Sequence, residues 1–250
     1  MIRIAAVGDV HFASDSVGRL RPHLEAESQG IQLLLLAGDL THRGDPKEAA
    51  VLARELEGLD FPVVAVLGNH DYHRDAQEEV AAVLRRSGVI VLEGDGAVLR
   101  LNGVSVGVAG VKGFGGGFAG ACATDFGEPE MKSFVAATRR SADDLESALG
   151  QLHTDVRVAL LHYAPVERTL VGEPQPLWPF LGSYLLAQAV DRAGADLVLH
   201  GHAHSGSAEA CTPGGVPVLN VAQQVIHRPF LVVELDPGGA SVTTPLTRAL

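Results

Sequence analysis

Cysteine, tryptophan and lysine are scarce in this 250-residue chain, with two Cys, one Trp and three Lys (Lys47, Lys112 and Lys132). The cysteines, Cys122 and Cys211, stand far apart without CxxC spacing, which excludes a disulfide framework and disfavours a thiolate metal site. Long hydrophobic runs are missing too: Gly, Asp or His breaks each apolar stretch well short of the roughly 20 residues that cross a bilayer. The opening "MIRIAAVGDVHF" reaches charged residues within a few positions and has no small-residue cleavage site. No secretory signal is read there, and the expected location is cytoplasmic. A formal net charge of -11 leaves no basic footprint for a nucleic-acid backbone. An anionic small substrate would then need a local source of positive charge.

What is present is apolar material: 46% of the residues are hydrophobic, enough for a sizeable core in a single domain over 1–250. "IRIAAVGD", "QLLLLAGD" and "FPVVAVLGN" are brief, branched or leucine-rich, and each halts on Gly followed by a polar residue. Such runs suit strands buried on both faces of a mainly parallel sheet. Helix grammar separates them. Asp45 precedes Pro46 with Glu48 three residues after the aspartate, and Gly58 closes the segment; Asp75 with Glu78 and a stop at Gly88 repeats the pattern.

Beyond residue 90 the pattern changes. Two alternating segments flank Asn102-Gly103, a strong hairpin signal. The glycine-rich loop Gly113 to Gly120 lacks the Lys and Ser/Thr of a phosphate-binding P-loop and is expected to form a cleft edge, with Phe114 or Phe118 as candidate substrate contacts. A long helical or irregular region runs to Leu149, strand grammar returns at "VRVALLH", and a helix from Ser183 to Ala193 stops on Gly194. The tail segments "GVPVLNVA", "PFLVVELD" and "ASVTTPLT" read as antiparallel strands. Together these elements predict an α/β fold of two packed sheets with helices outside.

The polar residues at the strand ends share one chemistry. Asp9 and His11 follow the first run, Asp39 the second, and Asn69, His70 and Asp71 the third; His162, His202 and His204 come late, while His200 ends its own run. Ligands of open α/β sheets sit at the carboxyl ends of strands. Carboxylate, imidazole and amide oxygen are donors for a borderline divalent transition metal rather than for magnesium or calcium alone. Seven strong donors exceed one tetrahedral site and suit two metals sharing a carboxylate, either Asp9 or Asp39. The i, i+2 spacing in "DVH" and "HAH" predicts that each pair points one way from extended backbone. Two such ions would invert the local charge of an acidic protein and attract a phosphate ester. They would also acidify a bridging water and clamp an in-line displacement at phosphorus.

"GDVH", "GDLTHRG", "GNHD", "LLHYAP" and "HGHAH", in this order, resemble the five-part signature of the calcineurin-like metallophosphoesterase superfamily, covering Asp9 to His204. The resemblance implies a four-layer αββα sandwich of two mixed sheets. It implies that Asp9, His11 and His204 hold one metal, that Asn69, His162 and His202 hold the other, and that Asp39 bridges them. The metals of such families are manganese, iron, zinc or similar ions. By the same resemblance His70 is catalytic rather than a ligand, with Asp71 orienting it, and Arg43 binds substrate phosphate although His42 replaces the aspartate that precedes it in some relatives. His200 falls outside the signature and is assigned a supporting role. The activity implied is hydrolysis of a phosphodiester, with a cyclic nucleotide as one candidate, by in-line attack of a metal-bridging hydroxide. A phosphomonoesterase or a nuclease with the same centre is the alternative, and a non-catalytic scaffold is opposed by the complete ligand set.

Overall fold

The computed structural model describes residues 1–27 and 30–237. In chain order the elements are β1 (Ile2–Val7), α1 (Arg21–Glu27), β2 (Leu33–Ala37), α2 (Pro46–Leu56), β3 (Val63–Val66), α3 (Gln77–Arg86), β4 (Ile90–Leu92), β5 (Asp95–Leu101), β6 (Val104–Val111), β7 (Gly117–Phe118), β8 (Ala121–Cys122), α4 (Pro129–Gly150), β9 (Val156–Leu161), α5 (Trp178–Leu181), α6 (Tyr184–Ala193), β10 (Leu197–His200), β11 (Glu209–Cys211), β12 (Pro217–Asn220), α7 (Gln223–Ile226) and β13 (Leu231–Leu235).

The strands form two mixed sheets in the orders β13-β1-β2-β3-β4 and β11-β12-β10-β9-β6-β5, plus the small ribbon β7-β8. β1 to β4 run parallel with β13 antiparallel at the edge. In the second sheet β6, β9, β10 and β12 are parallel, and β5 and β11 close its two edges antiparallel. The central strands are predominantly apolar because both faces are covered. β9 shows how: Val156, Val158 and Leu160 join the core shared with the first sheet, whereas Ala159 and Leu161 pack into a second core with α4 and α6. The layers are therefore helix, sheet, sheet, helix.

Local expectations fare unevenly. Asp45 caps α2, its side chain accepting from Lys47 N–H, with Pro46 at the first turn. Asn102 and Gly103 both adopt positive φ (48° and 87°) and close the β5-β6 hairpin, as a two-residue primed turn requires. Asp75, by contrast, does not cap α3; it sits in a left-handed conformation and the helix begins after Ala76 without a side-chain cap. The tail is not uniformly antiparallel: Pro217–Asn220 runs parallel to β10, because its approach from β11 places it beside that strand in the same direction. Leu231–Leu235 is antiparallel to β1. The segment "ASVTTPLT" lies outside the described residues.

Candidate metal centre

The carboxyl ends of both sheets meet at one rim, and every polar strand-end residue lies there. The loops after β1 and β2 are zipped by backbone bonds, from Asp9 N–H to Gly38 O and from His11 N–H to Asp39 O, each 3.0 Å. Asp9, His11, Asp39 and His202 all take left-handed backbone, with φ of 58°, 42°, 49° and 68°. Such conformations are costly for residues with a Cβ and persist where the surroundings over-determine them. The pairs in "DVH" and "HAH" are thus delivered by coiled turns and not by extended backbone.

Two donor groups form around one shared carboxylate. Ligand atoms of Asp9, His11, Asp39 and His204 lie within 4.8 Å of one another, as do those of Asp39, His162 and His202. Asn69 joins the second group, its Oδ1 2.9 Å from His162 Nε2. Asp39 is common to both; its Oδ1 lies 3.3 Å from His162 Nε2 and its Oδ2 3.8 Å from His11 Nε2. All seven residues singled out as ligands are brought together, with the "DVH" pair in one group and the "HAH" pair divided between the two.

The donor set fits cations. His162 is fully buried, and its Nδ1 is hydrogen-bonded to Ala37 O at 2.9 Å. A neutral imidazole with its proton on Nδ1 turns the Nε2 lone pair toward Asn69 Oδ1 and Asp39 Oδ1. Three acceptors then face one another with no donor between them, an arrangement that a cation satisfies. His11 Nδ1 is likewise buried without a partner. Burial lowers the His11 imidazole and takes His202 down to about 3, leaving both neutral and able to ligate. His204 is pulled up by its 2.9 Å contact with Asp9 Oδ1.

The remaining predicted residues part company. His70 stands beside the shared carboxylate, its Nε2 3.9 Å from Asp39 Oδ2 and its backbone N–H bonded to Asp39 Oδ1 at 2.8 Å. Its Nδ1 pairs with the His42 carbonyl at 2.8 Å, so a backbone oxygen, and not Asp71, orients this ring. Asp71 instead accepts from Leu40 N–H, Thr41 N–H, the Thr41 hydroxyl and Gly68 N–H. Burial, then the nearby Asp39 charge, raises its carboxyl to about 6 against the pull of those donors. Arg43 is exposed at the adjoining loop, where its backbone N–H binds Glu48. His200 is buried between Gly201 O and the Thr169 hydroxyl, in a supporting place. Phe118 is 4% exposed and packs in a small core with Ala164, Leu170 and Ala203, while also bordering a cavity beside Ala119 and Cys122.

Two groups escape sequence reasoning. His42 forms a further cluster with His11 and His70, all within 4.8 Å. Its only signal is position, four residues before the helix start and directly before Arg43. Lys112 sits at the end of β6, and its carbonyl accepts from both His162 N–H and Tyr163 N–H at 3.0 Å. Burial lowers its ammonium while Glu93 and Asp39 pull it back up.

The profile of the calcineurin-like phosphoesterase family matches residues 2–206. The chain belongs to the calcineurin-like phosphoesterase family. Among solved structures it is similar to a phosphopantetheinyl hydrolase from Mycobacterium tuberculosis, with 18% identity, a TM-score of 0.64, and 95% of this chain and 98% of that one covered. It is also similar to TT1561 of Thermus thermophilus, at 18% identity and a TM-score of 0.58 over 93% of both chains. A putative 5'-nucleotidase from Staphylococcus aureus gives 17% identity and a TM-score of 0.59 over 97% of this chain but 53% of that one. At these identities the likeness is one of fold. No curated protein matches the chain. Among the described residues no helix is long and apolar enough to cross a membrane.

Proposed function

We propose that this phosphoesterase-family protein is a binuclear metal-dependent phosphodiesterase, with Asp9, His11, Asp39 and His204 around one ion and Asp39, Asn69, His162 and His202 around the other. The observation that carries the reading is Asp39, whose two oxygens point one to each donor group. Bound there, two divalent transition ions would supply Lewis acidity toward a phosphoryl oxygen and an acidified water.

The protein's own groups do the rest. Asp9 is fixed by His202 N–H at 2.9 Å and Asp39 by His70 N–H at 2.8 Å, so neither carboxylate has to reorganise when charge develops. His70 has its Nδ1 proton committed to the His42 carbonyl, so in its imidazolium form the ring would give its Nε2 proton to a departing ester oxygen and return to the neutral Nδ1–H tautomer. Arg43, on the neighbouring loop, is the candidate for a non-bridging phosphoryl oxygen. Charge favours a diester: two dications against Asp9, Asp39 and a hydroxide leave about one positive charge, the match for a monoanion.

The test compares bis(p-nitrophenyl) phosphate with p-nitrophenyl phosphate under manganese, alongside metal analysis. The diester is expected to turn over faster, with close to two ions per chain, and Asp39→Asn is expected to abolish both. A faster monoester rejects the diester preference, and one ion or none rejects the binuclear centre.

A further inference from the structure

We propose that Lys112 binds a second phosphoryl group of the substrate, beyond the one hydrolysed, and so marks the protein for organic diphosphate esters; this rests on the phosphodiesterase reading above. The Lys112 ammonium is half-buried among three aromatic rings, 4.9 Å from the Tyr72 centroid, 5.1 Å from Phe114 and 5.2 Å from Tyr163. Ring faces attract a cation but give it no hydrogen-bond acceptor in the plane of its own donors. Of its three N–H donors one reaches an oxygen, the Gly113 carbonyl at 3.3 Å. Glu93, the nearest counter-charge, is engaged elsewhere: it accepts from the Tyr72 hydroxyl at 2.9 Å and from Leu67 N–H at 3.3 Å. Among the described residues no carboxylate forms an ion pair with Lys112, so two of its three donors are left to meet oxygens of a ligand.

Position supplies the ligand. The Lys112 backbone is fixed to the ligand-bearing strand end by its two bonds to His162 and Tyr163. The Tyr163 ring lies 4.3 Å from His202 and holds the ammonium at 5.2 Å. Lys112 is therefore one ring away from the His202 end of the centre, whereas His70 stands with His11 on the Asp39 Oδ2 side. A cation there meets a group adjoining the reacting phosphorus. From Tyr163 the rings continue through Phe114 (6.0 Å) and Phe134 (5.1 Å from Phe114) to Phe180, which is 60% exposed. An ammonium beside a row of aromatic faces suits the diphosphate and base of a nucleoside diphosphate ester.

The test has a kinetic and a binding arm, both on manganese-loaded protein. ADP-glucose is compared with bis(p-nitrophenyl) phosphate, and equilibrium binding of adenosine 5'-(α,β-methylene)diphosphate with that of AMP. Lys112→Met is expected to raise KM for ADP-glucose by about tenfold or more, the worth of one charge-assisted hydrogen bond, and to raise the bis-aryl KM several-fold less. The wild type is expected to prefer the methylene diphosphate to AMP by about tenfold, Lys112→Met to erase that preference and Lys112→Arg to keep part of it. Lys112→Gln repeats the measurement should the Met variant fold poorly. Equal KM increases on both esters, or a diphosphate preference that survives in Lys112→Met, overturns the assignment. If the wild type hydrolyses neither ester, the phosphodiesterase reading fails, and the binding arm still decides Lys112.

Discussion

Asp71 accepts two hydrogen bonds from Thr41, from its N–H at 2.8 Å and its hydroxyl at 2.6 Å, while Asp71 also accepts from Gly68 N–H at 2.8 Å. One buried carboxylate thereby locks the turn carrying Asp39 to the turn carrying Asn69. Asp71→Ala strands four donors and is expected to cost about 3 kcal/mol by urea unfolding, since each unmet buried donor costs on the order of 1 kcal/mol or more. Metal affinity falls with it, because the two turns are no longer held together.

His70→Ala separates chemistry from metal binding. The ring is not part of either donor group around Asp39, so metal stoichiometry is expected to be unchanged. The loss of a proton donor lowers kcat on a diester by roughly a hundredfold. Stopped assays with metal analysis on the same sample check both halves.

Gly68→Ala probes close approach. A Cβ at that position would overlap the carboxylate and backbone nitrogen of Asp39. Asp39 can avoid it only by leaving the point both donor groups share. The expected result is metal affinity reduced by about tenfold or more, in line with disturbed support of a ligand, read by titration with manganese. Gly150→Ala, in α4, where nothing lies within 4 Å and the backbone needs no positive φ, is the control for a glycine change away from the site.

Acid stability has a separate source, remote from the centre. Burial pushes the Glu55 carboxyl up, but backbone N–H donors from Arg21, Gly18 and Leu20 outweigh it and hold the group below its ordinary 4.5. A depressed carboxyl stabilises the fold above its ordinary value, and that contribution is lost as pH falls through the lower, folded value. Glu55→Gln is expected to destabilise by about 1 to 2 kcal/mol at neutral pH. Urea midpoints measured from pH 6 down to pH 3 should show the gap to wild type closing below about pH 4.5, the range in which such a carboxyl titrates.

Much of the architecture was legible because burial on both faces leaves an unbroken apolar run, and because Asp45-Pro46 and Asn102-Gly103 carry their geometry locally. The seven donors were legible as residue types at strand ends. Their local shape was not: left-handed φ at Asp9, His11, Asp39 and His202 is imposed by bonds between loops far apart in sequence, which no periodicity records. Asp71 was misplaced for a related reason. Its neighbour in sequence is His70, but its bonding partners include Leu40 and Thr41, about thirty residues earlier. Nor does the sequence show that Lys112 and Glu93 stop short of pairing. β12 misread because strand direction depends on which neighbour it joins, here β10.

Each donor group draws from both sheets: Asp9, His11 and Asp39 from the first meet His204 from the second, and Asp39 and Asn69 meet His162 and His202. The ions would therefore act as rivets across the seam between two halves that otherwise cohere through apolar packing and a few hydrogen bonds, such as Gly8 N–H to Val221 O and His202 N–H to Asp9. Chelation is expected to loosen that seam at one end, with amides of Asp9, His11 and Gly201 exchanging faster while the far ends of β1 and β9 keep their protection. The same rivets would make cation loading a late folding step, since neither sheet alone can offer a complete set of donors.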